Sequence, residues 1–188
     1  MLYQIVSLLL EVAAGILTGV CMLRLYMQHQ RIPTSARSGN PMGPFIFAST
    51  DWLVLPLRRV LPALGRWDTA SLVAAWLAQT ALYALLWLMT GADTNALSIA
   101  VMAVFGVLRT VISGFSGLVI VYAVLSWVQT SSHLSDLLER LVAPPLTVIR
   151  SAVPRLGGID LSPLVLLLML QVATILLGGL QAHVLAAL

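Results

Sequence analysis

The chain is 188 residues long, 60% hydrophobic and only 9% charged, with a mean hydropathy of +0.98 and a formal net charge of +3. So little polar surface cannot coat a water-soluble globule of this size, and the sequence reads as an all-α integral membrane protein. Its one cysteine, Cys21, excludes an intramolecular disulfide and a metal site built on cysteines.

Four apolar tracts are long enough to cross a hydrocarbon core roughly 30 Å thick, which takes about 20 residues of helix. They cover 2–23, 69–89, 96–128 and 161–188. No basic residue precedes the first tract and Arg24 follows it, so it is expected to stay as a span and not to be cleaved as a signal peptide. Glu11 lies inside it, and Gly15 and Gly19 give it a small-residue face. Such a face serves close helix packing within the monomer or self-association of copies.

The segment 41–62 is too apolar for a free loop and too broken by proline for a span. The third tract is too long: at about 1.5 Å per residue it would run about 50 Å. We therefore expect 96–108 to be a separate or interfacial piece and the span proper to cover 110–128, with Arg109 at its outer end. An unpaired charge in the bilayer costs at least ~2.5 kcal/mol. Either Glu11 and Arg109 pair, or Glu11 takes outer-leaflet water and Arg109 reaches headgroups.

In the segment 134–154, Leu134, Leu137, Leu138, Leu141 and Val142 recur at helical spacing, with Asp136, Glu139 and Arg140 on the other face. That pattern predicts a helix lying in the membrane interface, ended or kinked at Pro144 and Pro145. A re-entrant hairpin is the rival geometry for both 41–62 and 134–154.

Residues 58–81 and 150–173 align without a gap at nine identical positions of 24. These include Arg58 with Arg150, Pro62 with Pro154, Gly65 with Gly157, Asp68 with Asp160, and Gln79 with Gln171. Arginine, proline, aspartate and glutamine are scarce here, so the chain is a tandem duplication with repeats at 1–92 and 93–188. In each copy the Pro-Gly turn leads to an aspartate at the start of an apolar helix. There it caps the helix and pairs with the arginine ten residues earlier, or serves as a proton or ion site. In the second copy Ser162 and Pro163 offer a further cap with proline at the first helical position. The two glutamines are expected at equivalent places on the seam between repeats.

All ten basic residues are arginine, and eight lie in the first and third loops. By the positive-inside rule both long loops face the cytoplasm and both termini face outward. Each repeat is then a pair of spans joined by a cytoplasmic loop, and the two repeats run parallel. Arginines at that face suit anionic headgroups, so the basic charge calls for no nucleic acid.

The MLRLYMQ that closes the first span, the LSW that closes the third, and the twice-written turn ending in GGIDLSPLV resemble the YggT family of bacterial membrane proteins. The resemblance covers nearly the whole chain as two copies of the family's domain. It departs at Arg150-Ser151, where the family often has two arginines, and at RWDTASLV in the first copy. It implies a bacterial inner-membrane location and no assigned enzymatic activity. Bacterial members have been connected with osmotic stress and potassium limitation, and plastid relatives with cytochrome complex assembly. The residues agree: His29, His133 and His183 are isolated, and neither a phosphate-binding loop nor a nucleophile motif is written. The expected role is a non-enzymatic scaffold or assembly factor without cofactor, partnered by lipids and other membrane proteins. A small transporter or channel for ions or osmolytes is the alternative.

Overall fold

The computed structural model describes residues 1–32, 42–62, 67–91, 95–128, 133–152 and 160–188. Six helices follow in chain order: α1 (Leu2–His29), α2 (Met42–Val60), α3 (Thr69–Thr90), α4 (Ala96–Val128), α5 (His133–Ala152) and α6 (Ser162–Ala186). By length and composition α1, α3, α4 and α6 can each cross a membrane. In the first half α1, α2 and α3 pack on one another, and in the second half α4, α5 and α6 do the same. The halves meet where α4 packs against α1 and α3.

Both short helices sit at one end of the bundle. Met27 near the end of α1, Ile46 of α2 and Leu141, Val142, Leu146 and Ile149 of α5 belong to one buried cluster with Val119 of α4 and Leu166 of α6. The helices α1 and α4 run toward this end, where the long loops lie, and α3 and α6 run away from it. The two halves thus place matching elements at the same end. Each short segment is one continuous helix, not a hairpin.

Two expectations are corrected here. The tract 96–128 is one helix of 33 residues. Nothing between Leu108 and Thr110 breaks it, and a span longer than the hydrocarbon core adjusts by tilting or protruding. Its first half is held to α3: Trp76 Nε1 donates to the Ala100 carbonyl at 3.2 Å, and Ala103, Phe105 and Val107 are buried. Asn95 starts it by accepting the Ser98 N–H at 2.7 Å. Gly91 ends α3 just before, left-handed at φ 62°.

Pro144 and Pro145 do not end α5, which continues to Ala152. Proline costs a helix the bond its own N–H would make, and at Pro145 this leaves the Leu141 carbonyl without a helical donor. The Tyr26 hydroxyl of α1 donates to that carbonyl at 2.8 Å. A side chain from the other repeat thereby replaces the missing helical bond.

Candidate functional site

The residues repeated in the sequence converge on the loop end of the bundle. In the first half α2 brings Arg58 in its last turn, and the Thr69 hydroxyl closes the following turn by donating to the Pro62 carbonyl at 2.9 Å. Asp68, at the N-cap of α3, then meets Arg58 with both carboxylate oxygens: Nε donates to Oδ1 at 3.3 Å and Nη2 to Oδ2. The carboxylate also accepts the Ser71 hydroxyl at 2.7 Å, and Arg58 Nη2 reaches Gln28 of α1. Asp68 is 1% exposed. Burial pushes its pKa up, but hydrogen bonds from Arg58 and Ser71 and the charges of Arg58 and Arg24 hold it below the ordinary carboxylate value.

Arg24 completes this arrangement and was not foreseen as part of it. It is 4% exposed, and its Nη1 donates to Thr50 Oγ1 at 2.6 Å and Asp51 Oδ1 at 2.7 Å. Its Nε lies 3.9 Å from Asp68 Oδ2 without a hydrogen bond of its own. The Phe47 ring lies beneath the guanidinium, 4.8 Å away. The signal was present in the sequence: Asp51 is the only acidic residue between 42 and 60, and an arginine at the end of a span needs a partner.

The second half repeats the tie in a shallower form. Arg150 Nε donates to Asp160 Oδ2 at 2.8 Å, and its Nη2 donates to the Tyr122 hydroxyl of α4 at 2.9 Å. Asp160 Oδ1 accepts the Ser162 N–H at 2.9 Å, so it satisfies a free donor at the start of α6. Leu161 is the N-cap and Pro163 follows Ser162 inside the helix, one place later than the sequence suggested. Burial raises the Asp160 carboxyl and the Ser162 and Arg150 hydrogen bonds lower it further, leaving it below its ordinary value. Burial disfavours the Arg150 cation, and Tyr122 and Asp160 more than offset this and raise its pKa. Both expected arginine–aspartate pairs therefore form, each tied to the first long helix of its half. Gly65, Pro154 and Gly157 lie outside the described residues.

The glutamines part company. Gln79 is 4% exposed and its Nε2 lies 3.1 Å from Thr18 Oγ1 of α1 and 3.4 Å from Thr110 Oγ1 of α4, on the seam between repeats as expected. Gln171 is exposed on α6, contrary to expectation. The seam closes over Gln79 because Gly106 has no side chain: a Cβ there would come within 2.6 Å of Gln79 Oε1. A Cβ at Gly15, Gly114 or Gly117 would meet no such neighbour, and one at Gly19 would meet Thr110 Cγ2 at an ordinary 3.8 Å. The intramembrane charges do not meet. Arg109 lies well inside α4, not at the end of a span, and donates to Gln181 of α6 at 2.7 Å, while Glu11 is exposed.

Among the described residues no three His, Cys, Asp or Glu side chains gather where they could hold a metal ion. What the loop end offers chemically is two charged ties that fasten a short helix to a long one.

The model of the CCB3/YggT family matches twice, at residues 3–89 and 101–181. An uncharacterised protein of Vibrio alginolyticus, described by its place in the proC 3' region, is 33% identical over 164 residues, 85% of each chain. The uncharacterised protein YggT of Escherichia coli K12 is 32% identical over 167 residues, 88% of this chain and 85% of its own. An uncharacterised Pseudomonas aeruginosa protein, PA0392, is 31% identical over 141 residues, 73% of this chain and 72% of its own. No solved structure matches the chain. With both halves matched in the order the duplication requires, the chain belongs to the CCB3/YggT family and carries the family's unit twice.

Proposed function

We propose that the protein is a non-enzymatic scaffold or assembly factor of the bacterial inner membrane. Its termini face the periplasm, and α2 and α5 form a collar at the cytoplasmic face against anionic headgroups. One observation carries the reading. At the seam of the bundle Gln79 donates to both Thr18 and Thr110, and Gly106 lets α3 and α4 close over it. A transport path needs polar groups at that depth free to face water or an ion.

The collar placement is supported by the sidedness of α5, where Leu137, Leu138, Leu141 and Val142 are buried and Asp136, Glu139 and Arg140 are exposed, joined on the exposed side by Leu134, which the sequence placed on the apolar face. On α2 the exposed side carries Phe45, Trp52 and Leu55, a face suited to lipid. The link to osmotic stress or potassium homeostasis belongs to this reading as the setting in which assembly partners are sought.

The deciding measurement is potassium flux into proteoliposomes. Scaffold function predicts flux no greater than in empty vesicles. Flux that Gln79→Leu abolishes in a folded protein would replace the scaffold with a transporter. Cysteines introduced at 38 and 132 are expected to label only from the cytoplasm and one at 93 only from outside. Labelling of 38 and 132 from opposite sides would overturn the parallel arrangement.

A further inference from the structure

Between α1 and α4, the first long helices of the two halves, lies an open cleft of about 370 Å³. Its walls include Gly19 and Met22 on one side and Val111, Gly114 and Leu118 on the other, with Trp67 at the loop end. The absent side chains of Gly19 and Gly114 leave the space. The hydroxyls along it are already engaged: Thr110 donates to the Gly106 carbonyl at 2.9 Å, and Tyr26 donates to the Leu141 carbonyl. A cleft lined in this way takes hydrocarbon.

Depth selects the occupant. Along α1 it runs from Tyr26 to Gly19, about 10 Å. It begins beside Asp68, at the level of the charged ties, and stops at Thr110, where Gln79 closes the seam. That is the reach of one acyl chain entering from the loop-end leaflet, not of a molecule crossing both.

The mouth is polar and basic. His29 stacks on Trp67 with ring centroids 4.5 Å apart, and its Nδ1 is buried without a hydrogen-bond partner. Arg31, two residues past His29, is exposed, and the Arg58 side chain, joined to Asp68, is 39% exposed. We infer that the cleft holds one acyl chain of an anionic glycerophospholipid of the loop-end leaflet, with its phosphate at His29 and Arg31. The lipid is a wedge between the repeats. This rests on the membrane setting and not on the scaffold role, so a transporter reading would leave it intact.

The test uses the full chain in phosphatidylcholine vesicles with a small fraction of phosphatidylglycerol carrying a diazirine on one acyl chain. Photolabelled peptides are then mapped. Labelling is expected to be several-fold denser on 19–26 and 110–118 than on the outward face of α6 at 164–176, and denser than with a diazirine phosphatidylcholine. Gly114→Leu fills the cleft without a close neighbour at its Cβ and should remove the excess, as should Gly19→Leu from the opposite wall. Gly178→Leu, equally open but on α6, should not. Even labelling of all faces, equal labelling by both headgroups, or an excess that survives both filling substitutions in folded protein would overturn the assignment.

Discussion

The same arginine–aspartate tie is built twice, yet the two copies live in different surroundings. Asp68 is sealed from solvent and faces two guanidinium groups, whereas the Asp160 side chain remains 27% exposed and faces one. The glutamines differ the same way, Gln79 enclosed and Gln171 open. A duplicated motif therefore repeats its geometry without repeating its energetics. Two neighbours separate the copies: Arg24 of α1 adds a second guanidinium at Asp68, and α4 covers α1 and α3 at Gln79, while α6 rests mainly on α4 and α5. Removing one partner of a buried charge pair leaves a desolvated charge behind, but an exposed pair returns its partner to water.

The widest gap between the copies should appear on truncating the aspartates. Asp68→Ala is expected to cost about 3 kcal/mol, since it empties a buried site, unpairs Arg58 and leaves Arg24 held by Thr50 and Asp51 alone. Asp160→Ala should cost about 1 kcal/mol or less. Unfolding in mild detergent measures both, and equal losses would erase the distinction.

Gly106→Ala attacks the shelter of Gln79. Overpacking of this kind costs about 1–3 kcal/mol. A second change, Gln79→Ala, should recover much of the loss by removing the atoms the new methyl meets. Strictly additive losses would show that the contact is not the cause.

Acid offers a third comparison. Both aspartates have depressed pKa values in the folded protein, so their stabilisation is present above the unfolded value and is lost as pH falls through the folded one. Thermal stability should hold between pH 7 and about 5 and fall below about pH 4. Asp68→Asn should flatten that fall more than Asp160→Asn.

The smallest difference is at the glutamines. Gln79→Leu removes hydrogen bonds that average about 0.6 kcal/mol each between membrane helices, and Gln171→Leu removes none seen across the bundle. A larger effect at Gln171 than at Gln79 would point to a partner bound on α6.

Much of this architecture is written locally. Apolar length marks the four long helices, and the recurrence of Arg, Pro, Gly and Asp marks both ties, because a separation of ten spans one turn and brings the ends together. Local reading failed where a distant residue decided the outcome. The proline pair in α5 is tolerated because Tyr26, 115 residues before Leu141, supplies that carbonyl with the donor that Pro145 lacks. Gln171 looked equivalent to Gln79 until the neighbours of each helix were known. Arg24 in the sequence marks only the end of the first span, and its engagement with Thr50 and Asp51 depends on the fold of α2. The length rule divided 96–128 in two, although the packing of Trp76 on Ala100 holds it whole.

The bond from Tyr26 to Leu141 also sets an order of events. At about 5–20 residues per second of synthesis, the α1 hydroxyl emerges roughly 6–23 s before the carbonyl it will meet. During that interval α1, α2 and α3 can already settle on one another, while the Tyr26 side of α1 still faces lipid. The second repeat arrives at a surface prepared in advance and closes it last, so a ribosome pausing between the repeats would expose the first half with that side uncovered.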